Sequence, residues 1–104
     1  MITEVSGLNL TLGQVVYSKA GRDTGKGFLV VGILDNWYVL ISDGDLRRIE
    51  KPKKKKVKHL ETTKEMNVAL SQKLENKLKV TNAEIRKALA DVTIGSKAIN
   101  EGNA

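Results

Sequence analysis

The sequence predicts a mainly β domain with an α-helical C-terminal extension. Runs rich in Val, Ile and Leu occupy the first half, at Gln14 to Ser18, Phe28 to Leu34 and Trp37 to Ser42, each bounded by turn-forming residues. After Leu60 the apolar residues change to helical intervals. With 104 residues, the chain is large enough for one modest core.

Leu8, Leu10 and Leu12 alternate in the lead segment and mark a possible first strand. Gln14 to Ser18 is a compact strand, followed by a charged glycine loop, Gly21-Arg22-Asp23-Thr24-Gly25-Lys26. Phe28 to Leu34 and Trp37 to Ser42 are separated by Asp35-Asn36, which suits a two-residue hairpin turn. That turn pairs Leu34 with Trp37, Ile33 with Tyr38 and Val31 with Leu40. One hairpin face then carries Phe28, Val30, Leu34, Trp37, Val39 and Ile41, and the other Leu29, Val31, Ile33, Tyr38 and Leu40. Both faces are apolar, so neither is expected to lie open to water. Asp43-Gly44 turns the chain into a short strand at Leu46 to Ile49, Glu50 to Lys56 is a flexible basic loop, and Val57 to Leu60 closes the sheet. Five short strands with tight turns suit a small SH3-like β-barrel.

Thr62 and Glu65 have capping-box spacing, followed by Met66, Ala69, Leu70, Lys73, Leu74 and Leu78 at helical intervals. Thr81 and Glu84 repeat the spacing before Ile85, Ala88, Leu89 and Val92. Two short helices are marginal alone, so the second hairpin face is their expected packing surface, with Leu74 and Leu89 as anchors. The expected organisation is a barrel over 1–62, a helical extension packed on it over 63–94, and a disordered tail over 95–104.

Lysine and arginine number 18 against 12 acids, a net charge of +6. Lys51 to Lys58 contains six lysines and no acid, so this stretch alone equals the net charge. Concentrated charge points to a polyanion partner, against the alternative of a solvated loop. There is no cysteine, which excludes disulfides and thiolate metal sites. The N-terminus lacks the pattern of a secretory signal, and the longest apolar run is far short of the roughly 20 residues a bilayer requires. A cytoplasmic protein without membrane attachment is expected.

The strand, the loop from Gly21 to Lys26 and the second strand together resemble the KOW motif of ribosomal proteins and transcription elongation factors, with Arg22 where that signature has lysine. Gly13-Gln14-Val15-Val16, Ala20-Gly21-Arg22-Asp23, the apolar hairpin and Lys56-Val57-Lys58-His59-Leu60 are similar to the large-subunit ribosomal protein "fourteen e" family and its short bacterial KOW-domain relatives. Thr81 to Leu89 also resembles the bacterial relatives. The likeness covers Leu12 to about Thr62. It implies an SH3-like KOW barrel that binds large-subunit ribosomal RNA, with neighbouring ribosomal proteins as further partners.

The expected RNA-contacting set is Lys19, Arg22 and Lys26 around the glycine loop, Arg47 and Arg48 after the hairpin, and Lys51, Lys53, Lys54, Lys55, Lys56, Lys58 and His59. Arginine can form two parallel hydrogen bonds to phosphate, and lysine acts as a point charge. Such contacts position a protein on RNA without reading its sequence. Asp23 reads as a turn carboxylate or a partner of Arg22. His59 fits either a strand residue near RNA or a satisfied structural histidine. Trp37, Tyr17, Tyr38 and Phe28 could supply stacking to bases, but three of the four lie in the apolar hairpin, so most of them read as core.

Gly21 to Lys26 fails the phosphate-loop pattern, because three residues rather than four precede Gly25-Lys26 and Gly27 follows. A single histidine without clustered carboxylates argues against a metal site. No serine has a base at recognisable spacing, so neither an enzyme nor a cofactor is expected. The alternative function is a protein-interaction KOW module of the elongation-factor type, docking on polymerase or another protein. A peptide-binding aromatic cage is weakly supported with four aromatics.

Overall fold

The computed structural model describes the backbone of residues 10–103 and the side chains of residues 10–92. Strands β1 (Gln14–Ser18), β2 (Gly27–Ile33), β3 (Tyr38–Ser42), β4 (Lys53–Lys56) and β5 (Leu60–Met66) precede helices α1 (Val68–Glu75) and α2 (Asn82–Asn103). The strands form one antiparallel sheet in the order β4-β3-β2-β1-β5. No ladder joins β4 to β5, so hydrogen bonding does not close the sheet into a barrel.

Both faces of the central strands are buried. One face contributes Val16, Phe28, Val30, Val39 and Ile41 to a cluster with Leu10 and Leu60. A flat five-stranded sheet would leave such a face wet, so it must curl over itself. The curl is visible in the β4 side chains. Lys53 reaches Asp23 at 3.2 Å and Lys55 reaches the Ala20 carbonyl at 3.4 Å. Both acceptors precede β2, and strand spacing alone would put β4 about 14 Å from β1 in a flat sheet.

The opposite face contributes Val15 and Leu29, covered by Leu70, Val80, Ile85 and Ala88, with Val31, Leu74, Leu89 and Val92 at the margin. The helices therefore pack on the second hairpin face. Leu74 and Leu89 are only half-buried, while Leu70 and Ile85 are the buried anchors.

The hairpin register departs from expectation near its tip. Val30 pairs with Ile41 as the two-residue turn requires, but Gly32 pairs with Leu40 and Ile33 with Val39, making Val31 a bulge residue. A two-residue type I′ turn needs positive φ at both central positions. Among the described residues, Lys77 is the sole non-glycine with positive φ. Instead Asp35 Oδ1 accepts the N–H groups of Trp37 and Tyr38, both at 2.8 Å, and holds a wider loop.

Other expectations are corrected as well. Leu46 to Ile49 is a loop, and the expected basic loop at Lys53 to Lys56 is strand β4, paired with β3. Val57–His59 is a 3-10 turn, so the closing strand begins at Leu60. Thr62 and Glu65 lie within β5, whose ladder to β1 runs to Gln14 and Met66. The first helix is capped instead by Asn67, whose side chain accepts the Leu70 N–H at 2.9 Å. Leu78 falls beyond α1 and is exposed. The Thr81–Glu84 capping box is present: Glu84 Oε1 accepts the Thr81 N–H at 2.9 Å, and Thr81 Oγ1 accepts the Glu84 N–H at 3.2 Å. Leu10 and Leu12 precede β1 without strand structure and pack on the first cluster, whereas Leu8 lies outside the described residues. The tail expectation over 95–104 falls where no side chain is described.

Burial of Ile85 beneath β1 and β2 predicts that Ile85→Ala destabilises the whole chain, sheet included. A buried Ile→Ala change costs about 2–5 kcal/mol, a melting-temperature loss of roughly 8 °C or more for a domain of this size. Thermal melting followed at strand and helix wavelengths together checks this. Two separate transitions, with the sheet transition unmoved, would show independent units.

Candidate nucleic-acid interface

The glycine loop is short and tightly fastened. Gly21–Asp23 forms a 3-10 turn, the Thr24 hydroxyl donates to the Gly21 carbonyl at 2.7 Å, and the Lys26 N–H donates to the Asp23 carbonyl at 2.8 Å. The Gly25 N–H donates to the Ser18 carbonyl at 2.8 Å, and Gly25 has φ +86°. A Cβ at Gly25 would meet nothing within 4 Å, so the glycine serves backbone conformation rather than crowding.

Opposite it lies the loop from Asp43 to Pro52. Asp43 Oδ1 accepts the N–H groups of Asp45 at 2.9 Å and Arg47 at 2.8 Å, and the Ser42 hydroxyl donates to the Arg47 carbonyl at 2.6 Å. Helix α2 holds this loop from behind. Asn82 Oδ1 accepts the Ile49 N–H at 2.7 Å, its Nδ2 donates to Glu50, and Arg86 donates to the Gly44 carbonyl at 2.6 Å. Gly44 has φ +75°, and a Cβ there would strike the Asn82 carbonyl oxygen, so this approach requires glycine.

The two loops and β4 enclose a hollow of about 410 Å³ lined by Arg22, Asp23, Lys26, Leu46, Arg47 and Lys53. Two of its cations are committed to acids. Lys26 meets Asp43 Oδ2 at 2.6 Å, with the carboxylate only 6% exposed, and its ammonium lies 5.5 Å from the Phe28 ring centroid. Lys53 pairs with Asp23 at 3.2 Å. Asp23 thus holds β4 to the glycine loop rather than holding Arg22. Hydrogen bonding from Lys53 is the main reason its carboxyl lies below its ordinary value. Burial pushes Asp43 up, but the Lys26 ammonium and the Asp45 and Arg47 N–H groups outweigh it and hold its carboxyl below its ordinary value.

The remaining expected residues divide by position. Lys19, Arg22, Arg47, Lys51 and Lys58 are exposed and make no salt bridge among the described residues. Arg48 has a loose surface pair with Glu50 at 3.7 Å, worth little in water. Within β4, Lys53 and Lys55 turn toward the glycine loop, while Lys54 and Lys56 lie 4.5 and 5.9 Å from the Tyr38 ring centroid. The lysine run is therefore displayed on two faces of a strand instead of trailing as an arm. His59 is half-buried in the 3-10 turn, and its carbonyl accepts the Lys19 N–H at 2.8 Å, joining those two positions.

The apolar neighbours of Trp37 and Tyr38 in the sequence favour a core role over stacking, and the structure departs from that at both. Trp37 is 66% exposed, and Tyr38 is half-buried between lysines. A usable signal was the adjacency of Trp37 to Asp35-Asn36, since turn positions project outward.

Among the described residues, no three His, Cys, Asp or Glu side chains lie together as metal ligands, and no helix is long and apolar enough to cross a membrane. No protein-family model matches the chain, and no curated protein matches its sequence.

The depressed pKa of Asp43 carries a pH signature. Its contribution to stability is present above about pH 4, its unfolded value, and is lost as pH falls through the lower folded value. Asp43→Asn is expected to cost about 2 kcal/mol near neutral pH, the scale of a charged hydrogen bond. Urea unfolding of both proteins should show that gap narrowing on acidification. A gap independent of pH would mean that the carboxylate charge contributes nothing.

Proposed function

We propose that this protein is a non-enzymatic RNA-binding module of the KOW type. The observation that carries this reading is the convergence of the glycine loop, the Asp43–Pro52 loop and β4 on one hollow, with Arg22 and Arg47 at its rim and without a salt bridge among the described residues. The committed pairs Lys26–Asp43 and Lys53–Asp23 hold that surface in place, and the unpaired cations are available to phosphate oxygens. Exposed cations on a rigid frame suit recognition of folded RNA by shape and phosphate position. The strand order and the 3-10 turn before the last strand support an SH3-like arrangement, completed by curling rather than by a β4–β5 ladder. The resemblance of the loop and of Lys56 to Leu60 favours large-subunit ribosomal RNA as the partner, reached as a ribosomal component or an associated factor.

A protein-docking module of the elongation-factor type is the second reading, favoured by exposed Met66 and Val68 where β5 passes into α1. Sedimentation with ribosomes that RNase abolishes supports the RNA reading, and association with polymerase that survives RNase supports the other.

With about five phosphate contacts, binding to a ribosomal RNA fragment should fall with salt at a log–log slope of about −3.5 to −4.5. Arg22→Ala and Arg47→Ala should each make the slope shallower by about 1. Lys26→Ala should lower stability more than it changes the slope, because its ammonium is spent on Asp43. A slope near zero would remove the electrostatic mechanism.

A further inference from the structure

Folding leaves apolar surface uncovered at the tip of the β2–β3 hairpin. Ile33, Leu34 and Trp37 are 41%, 50% and 66% exposed. The backbone beneath them is well held. The Trp37 and Tyr38 N–H groups donate to Asp35 Oδ1, and the Leu34 and Asp35 N–H groups donate to the Tyr38 carbonyl at 3.1 and 3.3 Å. From the other side, the Val57 N–H donates to the Trp37 carbonyl at 2.8 Å. An indole on a doubly anchored backbone, largely in solvent, adds little to the core but is preorganised for a partner.

Residues adjacent to Trp37 in the chain and across the ladder from Tyr38 are basic, and they indicate the partner's chemistry. Tyr38 pairs with Lys56 across the β3–β4 ladder, and the Lys54 and Lys56 ammonium groups lie beside its ring. The Val57 bonded to Trp37 is flanked in the chain by Lys56 and Lys58. The acid at the tip, Asp35, uses Oδ1 on the two backbone N–H groups. An exposed aromatic side chain on a basic surface is a feature by which single-stranded nucleic acid is held, bases stacking and phosphates pairing with charge. An apolar protein partner would meet Lys54, Lys56 and Lys58 without compensation, so the charge favours a polyanion.

We propose that Trp37 is a stacking platform for an unpaired RNA base, with Lys54, Lys56 and Lys58 engaging the phosphates on either side. This rests on the RNA-binding reading and adds a second contact surface that selects single-stranded nucleotides, distinct from the glycine-loop hollow.

Trp37 is the sole tryptophan of the chain, so its fluorescence reports this surface directly. The full chain is titrated with single-stranded oligo(A) RNA and with blunt duplex RNA of the same length, and anisotropy of a labelled strand gives occupancy independently. Single-stranded RNA should quench the emission in step with occupancy, and duplex RNA should not. Trp37→Ala should weaken single-strand binding by about 5- to 150-fold, Trp37→Phe should retain most of it, and duplex binding should be unchanged in both. Because the side chain lies largely in solvent, far-UV circular dichroism and melting should match the parent. Saturation with unchanged emission, equal single-strand affinity in Trp37→Ala, or binding to duplex alone overturns the stacking site while leaving RNA binding intact; the hairpin tip is then a protein contact. Failure to bind either RNA overturns both readings.

Discussion

A sheet that is apolar on both faces is the constraint from which this structure follows. Val15 and Val16 in β1, and Phe28, Leu29 and Val30 in β2, alternate from one face to the other with every residue buried. A solitary sheet covers one face by curling and needs another layer for the second. The curl brings β4 near the β1–β2 loop and makes the Lys53–Asp23 and Lys55–Ala20 contacts possible. The second layer is α1 and α2, each too short in its packed portion to persist without the sheet. Core packing and the placement of the basic surface are therefore one problem with one solution.

Helix α2 connects the two most directly. Its first turn begins with the Thr81–Glu84 capping box and buries Ile85, which sets the helix against β1 and β2. In that position Asn82 and Arg86 can reach the backbone of Ile49 and Gly44. The loop carrying Arg47 and Arg48 is thus supported by residues more than 30 positions later in the chain. A loop stretched between β3 and β4 without that support would have to be ordered by its ligand, at a cost in affinity. The Lys73–Glu84 pair at 2.6 Å ties α1 to the same turn, though with both groups over a third exposed it serves registration more than stability.

What the sequence revealed and concealed divides along a physical line. Periodicity within one segment was legible: β1 to the residue, β2 and β3 nearly so, the two apolar hairpin faces away from the tip, and the second capping box. Features decided by a distant segment were not. Lys53 to Lys56 carries charge suited to solvent, yet its aliphatic stems can line a sheet while the ammonium groups reach outward, which composition does not disclose. Lysines on an edge strand also discourage pairing with another sheet edge. Thr62 and Glu65 have the right spacing for a cap, but β1 offers a ladder to those residues, and the tertiary partner wins. Lys26 looked like any loop cation because nothing local marks Asp43 as its buried partner. The rim of the hollow was legible in Arg22 and Arg47, whereas its internal ion pairs were not.

The distinction between an arm and a strand changes what the six lysines from Lys51 to Lys58 can do. A flexible arm loses side-chain and backbone freedom for every phosphate it engages, offsetting part of each contact. In β4 the backbone freedom is already lost on folding, and Lys53 and Lys55 are engaged with the glycine loop. Like charges in consecutive strand positions repel, and alternation eases this by sending Lys53 and Lys55 to one face and Lys54 and Lys56 to the other. The repulsion that remains is a destabilising term that a bound polyanion would relieve. Any ligand favouring the folded state raises its stability. A phosphate-bearing partner would therefore act on the same electrostatic strain that β4 builds into the free protein, and its binding would be coupled to folding through these lysines.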